Sequence, residues 1–176
     1  MEAMTDQAPV EKKAAQRRPR GIVTRPRSLY ICYFGLSEPL VQTQVLPYLR
    51  LLTPEIDIFL LTFEPDWRSR WSKDEQKRAC ENLSQEGIEW LSLPYHRWPS
   101  LPAKLYDIAV GTLEATRLVR AKKIDIVHAR SHLAAAIGAL VKWRTRCKLI
   151  FDFLILLSDE YVYALHCPAG GLLFRL

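Results

Sequence analysis

A chain of 176 residues, 49% hydrophobic and carrying a net charge of +6, has the length of one domain able to bury a core. The charge is uneven: residues 1–27 hold Lys12, Lys13, Arg17, Arg18, Arg20, Arg25 and Arg27 against Glu2, Asp6 and Glu11, so +4 of the +6 belongs to this stretch. These figures exclude a secretory signal, because no apolar core precedes Ile22, and a spanning helix, because the longest apolar candidate, Leu133–Val141, falls short of ~18 residues.

In chain order, residues 1–27 read as a basic, solvated, disordered leader. A leader of this kind could touch anionic lipid or nucleic acid, but the nearly balanced charge of the remainder and the lack of a recognition motif argue against a nucleic-acid reader. Leu29–Phe34 is an apolar run that predicts a first strand, closed by Gly35. Leu40–Leu52 predicts a helix, and Pro47 moves its regular part toward the carboxyl end, with Val41–Leu46 as a looser entry. Asp57–Phe63 predicts a second strand. Asp66–Gln85 predicts a helix with Trp67, Trp71, Ala79 and Leu83 on one stripe, stopped at Gly87.

Ile88–Leu93 predicts a third strand, followed by a proline-stiffened loop, Tyr95–Pro102. Ala103–Lys123 predicts an amphipathic helix with Leu105, Ile108, Ala109, Leu113, Thr116 and Val119 inward. Asp125–Ala129 predicts a fourth strand, and Ser131 the side-chain N-cap of a helix over Leu133–Trp143. That helix is apolar nearly all round, which predicts cover on both faces. Lys148–Phe153 predicts a fifth strand. Cys32, Cys80, Cys147 and Cys167 form no Cys-x-x-Cys pair and have no histidine at zinc-like spacing, so they read as reduced thiols and no metal is expected. Strands alternating with helices predict an α/β, Rossmann-like parallel sheet sandwiched by helices.

In such a sheet the strand ends gather along one edge, where ligands bind. The residues placed there are Gly35, Ser37, Gln42 and Gln44 after the first strand, and Glu64 after the second. His96 and Arg97 follow the third strand, His128, Arg130 and Ser131 close the fourth, and Asp152 closes the fifth. Such a set suits a hydroxylated, charged ligand. Gly35 stands without the further glycines of a dinucleotide fingerprint, and no phosphate-loop motif is present. The start of the helix after Ser131, beside Arg130, would suit an anionic group.

Several ordered blocks carry a family resemblance. These are Phe34-Gly35-Leu36-Ser37-Glu38-Pro39-Leu40-Val41-Gln42-Thr43-Gln44-Val45-Leu46-Pro47-Tyr48-Leu49, Leu60–Glu64, Arg97–Pro102, Asp125–Ser131, and Phe151-Asp152 with Ser158-Asp159-Glu160. Together they resemble the opening of bacterial family 4 glycosyltransferases with the GT-B fold. The resemblance implies two Rossmann-like domains facing a cleft, with this chain supplying the acceptor-side lobe. It implies sugar transfer from a nucleotide-sugar donor to a polysaccharide or glycolipid acceptor, with retention of configuration, no metal and no cofactor beyond the nucleotide-sugar co-substrate. It places residues 28–160 in the amino-terminal lobe and 161–176 in a helical tail leading toward a donor domain that the chain, ending at Leu176, is expected to lack.

A truncated or split enzyme is therefore expected, with a carbohydrate or lipid-linked acceptor and a donor-domain chain as partners. Its expected place is the cytoplasm, with peripheral contact at the inner membrane face. Carried over by position, His128 and Arg130 are the catalytic candidates, and Gly35, Ser37, Gln42, Gln44, Glu64, His96, Arg97, Ser131 and Asp152 the substrate-binding ones. Three positions depart from the family pattern: Arg130 stands where relatives carry the second His of His-x-His, Leu154-Ile155 replaces the Arg-Gly of Asp-x-Arg-Gly after Asp152, and Thr53-Pro54 stands where a helix-ending glycine is usual. The departures leave a second reading open, a non-catalytic binding or regulatory module on the same scaffold.

Overall fold

The computed structural model describes residues 25–65 and 72–152. In order they form β1 (Arg27–Cys32), a π-helical turn (Val41–Val45), α1 (Leu46–Leu52), β2 (Asp57–Pro65), α2 (Lys73–Gln85) and β3 (Ile88–Tyr95). Then come α3 (Ser100–Lys122), β4 (Ile126–Arg130), α4 (His132–Thr145) and β5 (Lys148–Asp152). The strands make one five-stranded sheet in the order β3-β2-β1-β4-β5, and every pairing is parallel. This is the expected α/β, Rossmann-like architecture. The chain builds outward from β1 to β3, then crosses back to β4, so the winding reverses between β1 and β4.

Alternating side chains divide the core in two. On one face Tyr30, Cys32 and Leu60 pack with Val41, Val45, Leu46 and Leu49 of the turn and α1, and with Leu83 of α2. On the other, Leu29, Ile31, Phe63, Val127 and Ala129 pack with Ala115 and Val119 of α3 and Ala134, Ile137 and Val141 of α4. β1 and β2 are central and buried on both faces, which explains their near-continuous apolar sequence.

Several expectations are corrected. The buried side of α3 is Ala103, Asp107, Gly111, Thr112, Ala115, Thr116 and Val119. Of the expected stripe, Thr116 and Val119 are buried and Ile108 packs against the core, while Leu105 and Leu113 are 59% and 50% exposed and Ala109 is exposed too. The reason is closeness: a Cβ on Gly111 would stand 2.7 Å from Phe63 Cζ and 2.9 Å from Ile137 Cδ1, so only small residues fit the sheet side. Nor is α4 covered all round, because Trp143 is 78% exposed. Trp67 and Trp71 lie outside the described residues; within them α2 begins at a capping box, in which the Ser72 hydroxyl accepts from the Glu75 amide at 3.2 Å and the Glu75 carboxylate accepts from the Ser72 amide at 2.8 Å.

Pro47 sits near the start of α1, as expected, and the looser entry before it is a π-helical turn. A proline there withholds one amide from the ladder, which favours the wider turn before it. Arg25 and Arg27, counted above with the leader, belong to the folded body and flank Asp57 at 3.3 and 3.5 Å. The rest of the leader, Phe153, the block Ser158–Glu160, Cys167 and the helical tail lie outside the described residues.

Gly111→Ala is expected to destabilise the protein by about 1–2 kcal/mol in urea unfolding, the overpacking cost exceeding the helix-propensity gain. A stability equal to or above the parent would refute the close contact of α3 with Phe63.

Candidate functional site

The parallel register sets the strand ends side by side. Cys32 stands between Thr62 and Arg130, Arg130 beside Asp152, and Glu64 beside Pro94. Gly35, Glu64, His96, Arg130 and Asp152 therefore share the carboxyl-terminal edge, and the winding reversal opens between the loop after β1 and the end of β4. In open sheets of this kind ligands enter at that reversal.

Arg130 is the centre of this crevice. It is 5% exposed. Its Nη1 donates to Asp152 Oδ2 at 3.3 Å, and its Nη2 donates to Gln44 Oε1. Its Nε is buried without a hydrogen-bond partner. Gln44 belongs to the π-helical turn, so the turn and β4 are clamped across the reversal. The Tyr30 hydroxyl donates to the same Asp152 oxygen at 3.3 Å. Burial pushes the Tyr30 phenol up, and the neighbouring Arg130 opposes that shift. The phenol therefore remains a proton donor near neutral pH.

His128, two residues before Arg130, lies on the same sheet face. Its ring centroid is 4.6 Å from Tyr30 and 6.0 Å from Tyr48. Desolvation lowers its pKa, with Asp152 pulling the other way and Arg130 adding to the lowering. The structure brings His128 to the wall of the crevice as a member of an aromatic trio. Tyr30 and Tyr48 were not singled out by sequence, because each also fits an ordinary amphipathic pattern.

Glu64 is 1% exposed and supports the loop from beneath. Its Oε1 accepts from the Leu36 amide at 2.7 Å and from the Thr62 hydroxyl at 2.6 Å. Thr62 Oγ1 in turn accepts from Trp90 Nε1 at 2.8 Å. Glu64 Oε2 has no partner. A Cβ on Gly35 would lie 2.8 Å from that oxygen and 2.8 Å from Pro65 Cδ, so close approach rather than an unusual dihedral demands glycine here. Gln42 Nε2 donates to the Leu36 carbonyl at 2.7 Å, and Ser37, Gln42 and Gln44 are exposed.

Ser131 has φ 82 and ψ 164, a region essentially reserved for glycine, and its hydroxyl makes no capping bond, contrary to expectation. Its amide instead points to the Asp152 carbonyl at 3.4 Å. The strain sits where β4 turns into α4, beside Arg130.

His96 and Arg97 follow β3, two strands from β1. Asp107, which sequence did not single out, is 1% exposed and holds His96 Nδ1 at 2.6 Å. The available signal was an aspartate on the small-residue stripe of α3.

Burial pushes the Cys32 thiol up to about 11, which removes it as a nucleophile. Among the described residues, no cluster of His, Cys, Asp and Glu could hold a metal, and no helix is long and apolar enough to cross a membrane. A groove of about 400 Å³ opens at the opposite, amino-terminal edge, lined by Arg27, Asp57, Phe59 and Lys122. Its charges are already matched, Lys122 with Glu89 at 2.7 Å and Arg27 with Asp57 at 3.5 Å.

No described protein family matches the chain, and no curated protein does. Among solved structures, a glycosyltransferase from Rickettsia africae aligns over 79% of this chain and 33% of its own, at 16% identity and a TM-score of 0.47. The chain thus spans about a third of that protein's length. The C-terminal domain of a Pyrococcus furiosus hydrogenase aligns over 77% and 97% of the two chains, at 14% identity and a TM-score of 0.49. The ferredoxin-NADP+ reductase of Plasmodium falciparum aligns over 74% and 54%, at 11% identity and a TM-score of 0.42. The solved neighbours have unlike activities, so the functional reading rests on the chain's own residues.

Two measurements probe the crevice. An imidazole whose folded-state pKa lies below the unfolded value of about 6.5 must gain a proton on unfolding in acid. Stability should therefore fall as pH drops from about 6.5 toward the folded pKa, and His128→Gln should flatten that limb relative to the parent; parallel curves would refute the desolvated histidine. Ser131→Gly should raise unfolding stability by about 1 kcal/mol through relief of strain.

Proposed function

We infer that this chain forms the acceptor-side wall of a glycosyl-transfer site of the GT-B kind, receiving a hydroxylated, anionic ligand at the β1–β4 reversal. The observation that carries the reading is the Arg130 clamp: a buried guanidinium tied to Gln44 and Asp152, with Nε still unpaired, beside the strained start of α4. The family resemblance of the Phe34–Leu49 and Asp125–Ser131 blocks supports the sugar-transfer chemistry.

In this reading the residues divide the work by chemistry. Arg130 and the first amides of α4 neutralise and orient an anionic group, because a fixed cation and a helix start both favour negative charge. Gln42 and Gln44 meet sugar hydroxyls from the exposed rim. Glu64, too buried to touch ligand, positions the Gly35–Leu36 turn. Neutral His128 offers a non-cationic ring against the sugar. A nucleotide sugar is the co-substrate and a polysaccharide or glycolipid the acceptor, with the donor-binding wall supplied by a second lobe. The described residues hold one sheet, which in this reading forms one side of the cleft.

A second reading, a binding module without catalysis, is favoured by the fact that both terminal nitrogens of Arg130 are already engaged. The two separate experimentally. The full chain is titrated with UDP-glucose, GDP-mannose and inorganic pyrophosphate while backbone amide shifts are followed, and sugar transfer is assayed in parallel. Binding should perturb Gly35–Gln44 and Ser131–Ala134, and Arg130→Met should weaken it roughly 10- to 100-fold. Transfer should need a donor lobe, because both substrates must be held together. Robust turnover by this chain alone would overturn the one-wall reading. Shifts elsewhere, or unchanged affinity in the variant, would overturn the site.

A further inference from the structure

A second polar centre lies on the same edge, outside the β1–β4 crevice. Asp107 projects from α3 into the fold and is 1% exposed. Its Oδ2 accepts from the Tyr33 hydroxyl at 2.8 Å and from the His96 amide at 3.0 Å, and its Oδ1 lies 2.6 Å from His96 Nδ1. A buried carboxylate oxygen accepts, so in the neutral imidazole the proton belongs to Nδ1. That assignment leaves the Nε2 lone pair on the opposite side of the ring, pointing away from Asp107.

The His96 side chain is 42% exposed, and its ring stands nearly perpendicular to that of Tyr106, with centroids 5.2 Å apart. A neutral imidazole held in one tautomer, with its other nitrogen turned away from the carboxylate, is a preset hydrogen-bond acceptor. Little side-chain entropy remains to be lost when a ligand hydroxyl arrives.

Two aromatic side chains that the fold leaves open lie near it, Tyr106 against the ring and Trp98 two residues along the chain. Tyr106 is 58% exposed and Trp98 is 83% exposed. Neither contributes to either core cluster. The group follows β3, two strand spacings from β1, so it lies about 10 Å along the edge from the crevice. Tyr33, which follows β1, reaches Asp107 and joins the two places through one hydrogen bond. Flat π faces beside an oriented acceptor match one ligand chemistry well. A pyranose presents weakly positive C–H bonds on its face and hydroxyl donors round its rim.

We propose that His96, Tyr106 and Trp98 form a saccharide-binding subsite, in which Nε2 accepts a sugar hydroxyl and the exposed rings lie against the C–H face of a pyranose. Asp107 is the positioning residue, setting the tautomer and direction of His96. The sugar class rests on the acceptor-side reading above, and the subsite would hold an acceptor residue remote from the reacting one.

The test uses the full isotope-labelled chain and three neutral probes, cellotetraose, maltotetraose and mannotetraose, with sorbitol as an open-chain control. At least one tetrasaccharide should shift the His96 ring nitrogens and the amides of Trp98 and Tyr106. Tyr106→Ala, an exposed change that leaves the core intact, should weaken that binding at least about tenfold, and His96→Gln should weaken it as well. Absence of shifts with all three probes, equal shifts with sorbitol, or shifts confined to Gly35–Gln44 and Ser131–Ala134 would overturn the subsite. The two readings fail separately. Loss of nucleotide-sugar binding with tetrasaccharide shifts intact removes the crevice assignment alone, and the reverse pattern removes the subsite alone.

Discussion

The Glu64 carboxylate holds the exit of β1 in place, and the geometry of the whole edge follows from it. One oxygen collects the Leu36 amide and the Thr62 hydroxyl. The chain can lie so close to the carboxylate only because residue 35 has no Cβ. From that turn the backbone swings into the π-helical segment, which delivers Gln44 to Arg130. A buried carboxylate accepting two hydrogen bonds is costly to disturb, because removing either donor leaves polar atoms unsatisfied away from water. The loop over the crevice is thus rigid at its root and exposed at its rim.

Parallel register does the rest. Because β1 pairs with both β2 and β4 without offset in direction, the strand ends cannot avoid one another, and charged residues at those ends form a single surface. Arg130 and Asp152 are brought together by this pairing alone. His128, two residues back, is drawn onto the same face and into contact with Tyr30 and Tyr48. Its environment is aromatic and partly dry, which keeps the ring neutral where an exposed histidine would begin to charge.

The α3 helix shows a different trade. It lies close against the sheet by presenting Ala103, Gly111 and Ala115, and its larger apolar side chains are turned outward as a result. The charged residue on that inward side, Asp107, gathers Tyr33 and His96 from two different strand ends. A helix packed by large residues would have stood too far away for this contact.

By itself the sequence determined the alternation of strands and helices, the parallel sheet and the ordering of candidate residues along one edge. Those features follow from hydrophobic periodicity and from short-range chemistry at strand ends, which any local stretch of chain displays. It also marked Gly35, Arg130 and Asp152 for the right edge, since strand ends can be read from apolar runs. It placed Thr116 and Val119 of α3 inward but also Leu105 and Leu113, which are outward, because size as well as polarity decided that face, and closeness of approach depends on Phe63 and Ile137 from other elements. It did not reveal the Glu64 support, the strain at Ser131 or the Asp107–His96 couple. Each of these joins residues distant in sequence or fixes a backbone angle, and only tertiary packing supplies the low-dielectric surroundings and the fixed distances on which they depend.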